Sequence, residues 1–296
     1  MSAPWALYKG DYARSAYTAL AGTSGSFTRS ASLRAGGVLT FPLDLVAHPA
    51  RSGVLVASDD AIADARTDTL LIETAYGGAD TGADITREML DEVASLLSTL
   101  NPADSAWWLR LDRNDGSGNA MSFERLVRIV QIPEWQLKGD NPQNIYSPTY
   151  ELPIGLQVLY PYWIKATSES QSFASVGTSY SSPATLNNTG HTDRVGLKAV
   201  VTAKTGSPTK LYIKNDTTGK EIVVTAPSGL AVDDVIDWYC DDPRLWALTT
   251  TNAAHFGASA ADADCRLQRG NNSLKLKVDA GTVNVTLYWR RERYTP

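Results

Sequence analysis

This sequence predicts a mainly β protein: a mixed first half with strands, one helix and a β-hairpin, followed by an antiparallel β-sandwich. Three observations carry that reading. Short runs that alternate apolar and polar residues recur through the second half. A single stretch with helical spacing stands out, over 85–100. The 22 Gly and 14 Pro are spread along the chain, as many turns require.

In the first half, Val38–Leu43 and Thr69–Thr74 read as strands, and Ser52–Ala57 as a weaker one. Residues 58–66 fit either a turn or a short helix. The helix begins near Ile85. Ile85, Met89, Val93, Leu96, Leu97 and Leu100 fall on one face at helical spacing. Asp84 or Thr86 caps its first amides, and Glu88, Asp91 and Glu92 lie where the helix dipole favours negative charge. Asn101-Pro102 stops it. One amphipathic helix among strands is expected to cover a face of a sheet.

A hairpin follows, pairing Ala106–Leu111 with Met121–Ile132 around the turn Asp112–Asn119. On its second strand Phe123, Leu126 and the Val127/Ile129 pair break strict alternation, which predicts a bulge. Residues 133–148 are turn-rich and carry Trp135. Tyr150–Tyr160 reads as a long strand with Leu152, Ile154, Leu156 and Val158 on one face, ending at Pro161-Tyr162-Trp163.

A serine-rich tract over 166–184 reads as a linker or the edge of a second domain, placing the boundary between 1–165 and 166–296. Beyond it come short strands at Gly196–Thr202, Thr209–Lys214, Glu221–Val224, Val235–Tyr239, Ser273–Val278 and Val283–Trp289. That many short strands between Gly, Asn and Pro turns make a sandwich.

Composition narrows the function. The 27 Lys+Arg against 32 Asp+Glu give a net charge of −5, which argues against a general nucleic-acid coat. No run is long and apolar enough for a transmembrane helix, and Met1–Lys9 does not read as a signal peptide. The 8 Trp and 13 Tyr outnumber the 5 Phe. Rings with a polar handle suit strands and interfaces, where one end is buried and the other wet.

Candidate chemical sites are weak. From Asp112, the run Asp112-Arg113-Asn114-Asp115-Gly116 misses the calcium-loop pattern, because Ser117 stands where Gly is needed and Phe123 where Glu is needed. It reads as a turn. Asp241, Asp242, Asp262 and Asp264 flank Cys240 and Cys265 without a Cys-x-x-Cys, and read as solvated loop acids beside inert thiols. His48, His191 and His255 have no serine elbow to serve, and no phosphate-binding glycine loop occurs. No catalytic, metal or cofactor site is predicted. Trp238, Tyr239, Trp246, Trp289 and Tyr294 would stack on sugars if they shared an exposed face; otherwise they are core or interface residues.

Several segments resemble the distal tail (Dit-like) proteins of long-tailed bacteriophages. Val158–Trp163 looks like that family's exit from its N-terminal domain, followed by the serine-rich crossover and Asn187-Asn188-Thr189-Gly190. Leu211–Ile222 is similar to the family's I-x-N-x-T-T-G-x-x-I hairpin. Leu267–Leu274 looks like its L-x-x-G-x-N-x-L turn, leading into Val283–Arg293. The likeness spans roughly residues 150–296, departing at Val232–Trp238 and in an Ala-rich insertion near 258–263.

The resemblance implies a non-enzymatic virion protein. Its N-terminal domain would form a ring, usually a hexamer, at the distal end of the tail. Its C-terminal domain would be a galectin-like sandwich projecting outward. The implied partners are other copies of the chain, the tail tube protein, the hub and receptor-binding proteins, with DNA only passing through the lumen. Ring contacts would lie at strand edges and the helix of the first half, including Trp107, Trp108 and Trp135. The rival readings are a carbohydrate-binding module, a cell-wall hydrolase and a tail protein from elsewhere in the virion.

Overall fold

The structure is a computed structural model. It describes residues 5–9, 16–20, 22–24, 27–34, 45–47, 54–56, 67–76, 91–92, 94–98, 100, 107–114, 117–118, 120, 121–132, 136–137, 149–160, 162–192, 195–226, 229–239, 257–258 and 266–293. The chain divides into two compact units, Met1–Tyr162 and Trp163–Pro296.

The first unit holds β1 (Trp5–Lys9), β2 (Ala16–Ala19), β3 (Gly22–Ser24), β4 (Phe27–Arg34), β5 (Leu45–Ala47), β6 (Val54–Val56), β7 (Thr67–Tyr76), β8 (Trp107–Asn114), β9 (Ala120–Gln131), β10 (Gln136–Leu137) and β11 (Thr149–Val158). An antiparallel sheet runs β2-β1-β8-β9-β11-β7-β4-β3, with β10 on β11. β5 and β6 pair separately. The strands expected near Thr69, Trp107, Met121 and Tyr150 are present, and Ser52–Ala57 contains β6. The expected strand Val38–Leu43, the segment 58–66 and Trp135 lie outside the described residues.

Four strands, β1 to β4, precede any that alternation predicted. β4 shows why. Of Phe27-Thr28-Arg29-Ser30-Ala31-Ser32-Leu33-Arg34, only Ala31 is buried among the residues whose exposure is described, so its apolar signal is faint. Its order comes from an eight-residue register with β7, from Phe27 opposite Tyr76 to Arg34 opposite Thr69.

The helix is seen over the described residues of 91–98, where Leu96 and then Leu100 are buried while Asp91, Ala94, Ser95 and Ser98 face out. Glu92 reaches Arg29 of β4 at 3.5 Å, tying the helix to that strand. The remainder of the predicted apolar face (Ile85, Met89, Val93) and the predicted start lie outside the described residues, while at the other end Leu100 is no longer helical and its N–H bonds the Leu97 carbonyl at 3.1 Å.

A bulge does interrupt this strand, but at Val130, past the Phe123–Ile129 residues from which it was expected. β8 and β9 run in unbroken register from Trp107–Val127 to Asn114–Ala120. Between β9 and β11 the register slips: Gly155 faces Gln131 and Leu156 faces Ile129, so Val130 has no opposite number. Val130 is turned out, 48% exposed. Gly155 belongs here because a Cβ on it would lie 2.9 Å from Cβ of Gln131.

Trp107 and Trp108 are both buried, as are Leu109 and the whole run Phe123–Val127. Consecutive buried residues mean that the middle of this sheet is covered on both faces. This corrects the expectation that Trp107 and Trp108 present a ring contact. Their strand lies between β1 and β9, so neither ring reaches an outer edge. Within this interior the Arg125 guanidinium meets the Asp68 carboxylate at 3.3 Å, with both side chains almost fully enclosed.

The second unit holds β12 (Trp163–Lys165), β13 (Glu169–Val176), β14 (Ala184–Asn188), β15 (Leu197–Thr205), β16 (Lys210–Asn215), β17 (Lys220–Thr225), β18 (Val235–Tyr239), β19 (Gly257–Ala258), β20 (Gly270–Val278), β21 (Thr282–Trp289) and β22 (Glu292–Arg293). One antiparallel sheet runs β13-β21-β15-β18 and another β14-β20-β16-β17-β19, while β12 pairs with β22. Every strand predicted here by alternation is present. Leu274, Leu276 and Val278 of one sheet and Val283, Val285, Leu287 and Trp289 of the other bury into a single shared core. Full burial of each such side chain is worth about 1.5–3 kcal/mol.

Of the two readings of the serine-rich tract, the edge of a second domain holds over its first half, which is the edge strand β13. Phe173 and Val176 point into the core, and Ser170, Ser172, Ala174 and Ser175 face out. Ser172 Oγ lies 3.1 Å from Thr286 Oγ1 on the neighbouring strand. Serine here is the solvent-facing half of a strand pattern, which its composition disguised as a loop.

Candidate interaction surface

The two motifs of the second unit meet in its interior. Asn215 closes the β16–β17 hairpin, and Asn272 lies in β20. Both are fully buried. Asn215 Oδ1 accepts the Thr217 N–H at 3.1 Å, and its Nδ2 donates to the Arg266 carbonyl at 3.2 Å and to Asn272 Oδ1 at 3.2 Å. Asn272 accepts from the Gln268 N–H and donates to the carbonyls of Gln268 and Gly270. A third buried amide, Asn188, donates to the Thr192 carbonyl and accepts the Gly190 N–H. These asparagines replace lost water contacts with side-chain bonds that hold three turns together.

The outer face of the five-stranded sheet has a different chemistry. Residues whose neighbours in sequence go inward are Tyr212 and Lys214 on β16 and Lys275 and Lys277 on β20, and Glu221 on β17 precedes the inward Ile222. The register sets Tyr212 opposite Lys277 and Lys214 opposite Lys275. Lys275 pairs with Asp216 at 2.5 Å and Lys214 with the same carboxylate at 3.8 Å. The Lys275 hydrogen bond is the main cause that holds Asp216 below the usual carboxylate range.

Tyr180 completes this face. The chain between β13 and β14 runs along β20, where Ser181 N–H bonds the Leu276 carbonyl and the Val278 N–H bonds the Gly177 carbonyl. That places Tyr180 over the sheet. The Lys277 ammonium stands 4.5 Å from the centre of the Tyr180 ring and 4.6 Å from that of Tyr212. The Tyr180 hydroxyl donates to Glu221. Burial, then that carboxylate, raise the Tyr180 phenol well above its ordinary value. Beside Tyr180 lies a groove of about 580 Å³, lined by residues 173–182.

Most residues singled out from the sequence are not brought together. Asp112 is in β8, where its carboxylate takes Arg110 Nε at 2.6 Å and the Ser122 hydroxyl. His191 is exposed, and its N–H bonds the Glu292 carbonyl at 2.7 Å. His48, His255, Cys240, Cys265, Asp241, Asp242, Asp262, Asp264, Trp246 and Tyr294 lie outside the described residues. Trp238 and Tyr239 are placed in β18 by backbone alone. Trp289 follows the core alternative: it points into the core and is 6% exposed. Among the described residues no group of three or more His, Cys, Asp or Glu is arranged to hold a metal ion. Nor is any helix among them long and apolar enough to cross a membrane.

Sequence reasoning passed over Tyr180, Tyr212 and Lys277. The alternation Leu211-Tyr212-Ile213 and Leu276-Lys277-Val278 already put Tyr212 and Lys277 on outer faces. Only the strand register and the path of residues 177–181 put them beside each other.

No family model matches this sequence, and no curated protein matches it. Solved structures do. The crystal structure of SPP1 Dit (gp 19.1), described as a paradigm of the hub adsorption apparatus in phages infecting Gram-positive hosts, superposes with a TM-score of 0.51. The match covers 97% of this chain and 98% of that one, at 13% identity. The chain shares the fold of SPP1 Dit. Chains of the phage P2 baseplate in its activated conformation, with calcium and with strontium, also match, at a TM-score of 0.44 and 10% identity over 98% of each chain.

Proposed function

We propose that this chain is a structural protein of the distal end of a bacteriophage tail. It forms a ring, a homo-hexamer, that joins the tail tube to the hub and the receptor-binding apparatus. Residues 1–165 build the ring, and residues 166–296 form a galectin-like domain that projects outward. The observation that supports this reading best is the fold likeness to SPP1 Dit, which runs through nearly the whole length of both chains. The work of such a protein is contact rather than bond chemistry.

A closed ring repeats one heterologous contact, so each copy needs two unlike faces. With a net charge of −5, the ring would let DNA traverse its lumen without holding it. The test is negative-stain imaging of the purified chain, alone and mixed with its tube and hub proteins. Six-fold rings are expected. A monodisperse monomer in every mixture sinks the reading.

A further inference from the structure

We propose that the outer face of the five-stranded sheet is a contact surface for a second copy of this chain, with Lys277 taking a carboxylate from the first unit of that copy. This rests on the ring reading and adds one contact between copies to it.

The first observation is an unmet charge. Lys214 and Lys275 share the Asp216 carboxylate, and the Glu221 carboxylate takes the Tyr180 hydroxyl. Lys277 differs. Its ammonium lies close to the rings of Tyr180 and Tyr212, and among the described residues no carboxylate is within ion-pair distance of it. The rings orient the cation without neutralising it, so one carboxylate complements it.

The second is the kind of surface. Lys277 stands on a sheet face, in register with Tyr212. Tyr180 is held there by the backbone bonds from Ser181 to Leu276 and from Val278 to Gly177. Small ligands are held in concave sites, whereas proteins cover open faces. Tyrosines that are already ordered make good anchors, because little freedom is lost when a partner covers them.

The third is the division of charge along the chain. Carboxylates outnumber cations in residues 1–162, and cations outnumber carboxylates in residues 163–296, where eight of the ten lysines lie. A second copy therefore brings an acidic unit to a face with one ammonium to spare. In a ring of acidic first units, that ammonium also offsets part of their mutual repulsion.

The test mixes the full chain at natural abundance with the full chain carrying a heavy-nitrogen label. A carbodiimide joins touching ammonium and carboxylate groups, and mass spectrometry reads which chains are joined. Links from Lys277 to an Asp or Glu of residues 1–162 in the other isotopic form are expected. Sedimentation velocity follows association of the same chain, which is expected to weaken as salt rises. Lys277→Met is expected to weaken association about tenfold, the worth of one charge-assisted contact. Lys204→Met, on the other sheet and paired with Asp233, is expected to stay within about twofold. Matching melting temperatures of the two variants separate a lost contact from lost folding. Rings in which Lys277 is not linked to the first unit of another copy overturn the proposal and leave the ring reading standing. Equal association of the two variants does the same. A chain that stays monomeric, alone and with its tube and hub proteins, overturns both.

Discussion

The side-chain amide of Asn215 donates to the amide oxygen of Asn272 across 3.2 Å inside the second unit. The two residues are 57 positions apart, one at a hairpin end and the other in β20. Removing either leaves buried backbone groups without their partner. Asn215→Ala and Asn272→Ala are each expected to lower stability by about 2–3 kcal/mol. In the double variant the two losses add to less than their sum, by about 1 kcal/mol. Urea unfolding of the four proteins measures this. Full additivity would show that the bond couples nothing.

Gly281 lies where two connections cross. Its φ is 66°, and a Cβ on it would stand 1.9 Å from the Thr205 carbonyl oxygen. Gly206 packs against it with φ of 70°. Both backbones must move to admit any side chain. Gly281→Ala is expected to cost roughly 2–4 kcal/mol, whereas Gly219→Ala meets only the penalty of its positive φ, about 1–2 kcal/mol. Thermal unfolding of the pair of variants ranks them, and an equal loss refutes the crossing as the cause.

Asp279 ties the start of β16 to the end of β20. Burial opposes its ionisation, but bonds from the Thr209 hydroxyl and the N–H groups of Thr209 and Lys210 outweigh it. The carboxyl is held below its ordinary value of 3.8. A depressed folded pKa stabilises the fold above 3.8, and the gain disappears as pH falls through the folded value. Asp279→Asn is therefore expected to be less stable at neutral pH by about 0.5–1 kcal/mol, discounted for exposure. That gap should close in strong acid. Melting curves across pH give the answer, and a gap that widens in acid contradicts the sign.

Arg125 and Asp68 form an ion pair at 3.3 Å within the first unit. Asp68→Ala leaves a guanidinium enclosed without that carboxylate. The expected loss is about 3–5 kcal/mol, far more than for an exposed pair such as Lys204–Asp233. Denaturant midpoints of Asp68→Ala and Asp233→Ala compare them directly. Similar small losses would mean that water or another group compensates Arg125.

Alternation alone determined six strands of the second unit, β15, β16, β17, β18, β20 and β21, and most of those from Thr67 onward in the first. In strands with one buried face, inward Leu, Ile and Val alternate with outward polar residues, as in Thr282–Trp289. It determined no strand before Val38 and left β13 between a linker and the edge of a second domain, because serine-rich and arginine-rich strands bury too few residues to show their period. The resemblance set Trp107 and Trp108 among the ring contacts, and the structure buries them. Their burial follows from a central strand position that no local pattern encodes. The resemblance in the Asn215 and Asn272 motifs was legible residue by residue. That their amides meet, and that Lys277 stands between Tyr180 and Tyr212, depends on strand register. Register is set by pairing between segments far apart in the chain, and this is what the tertiary structure decided.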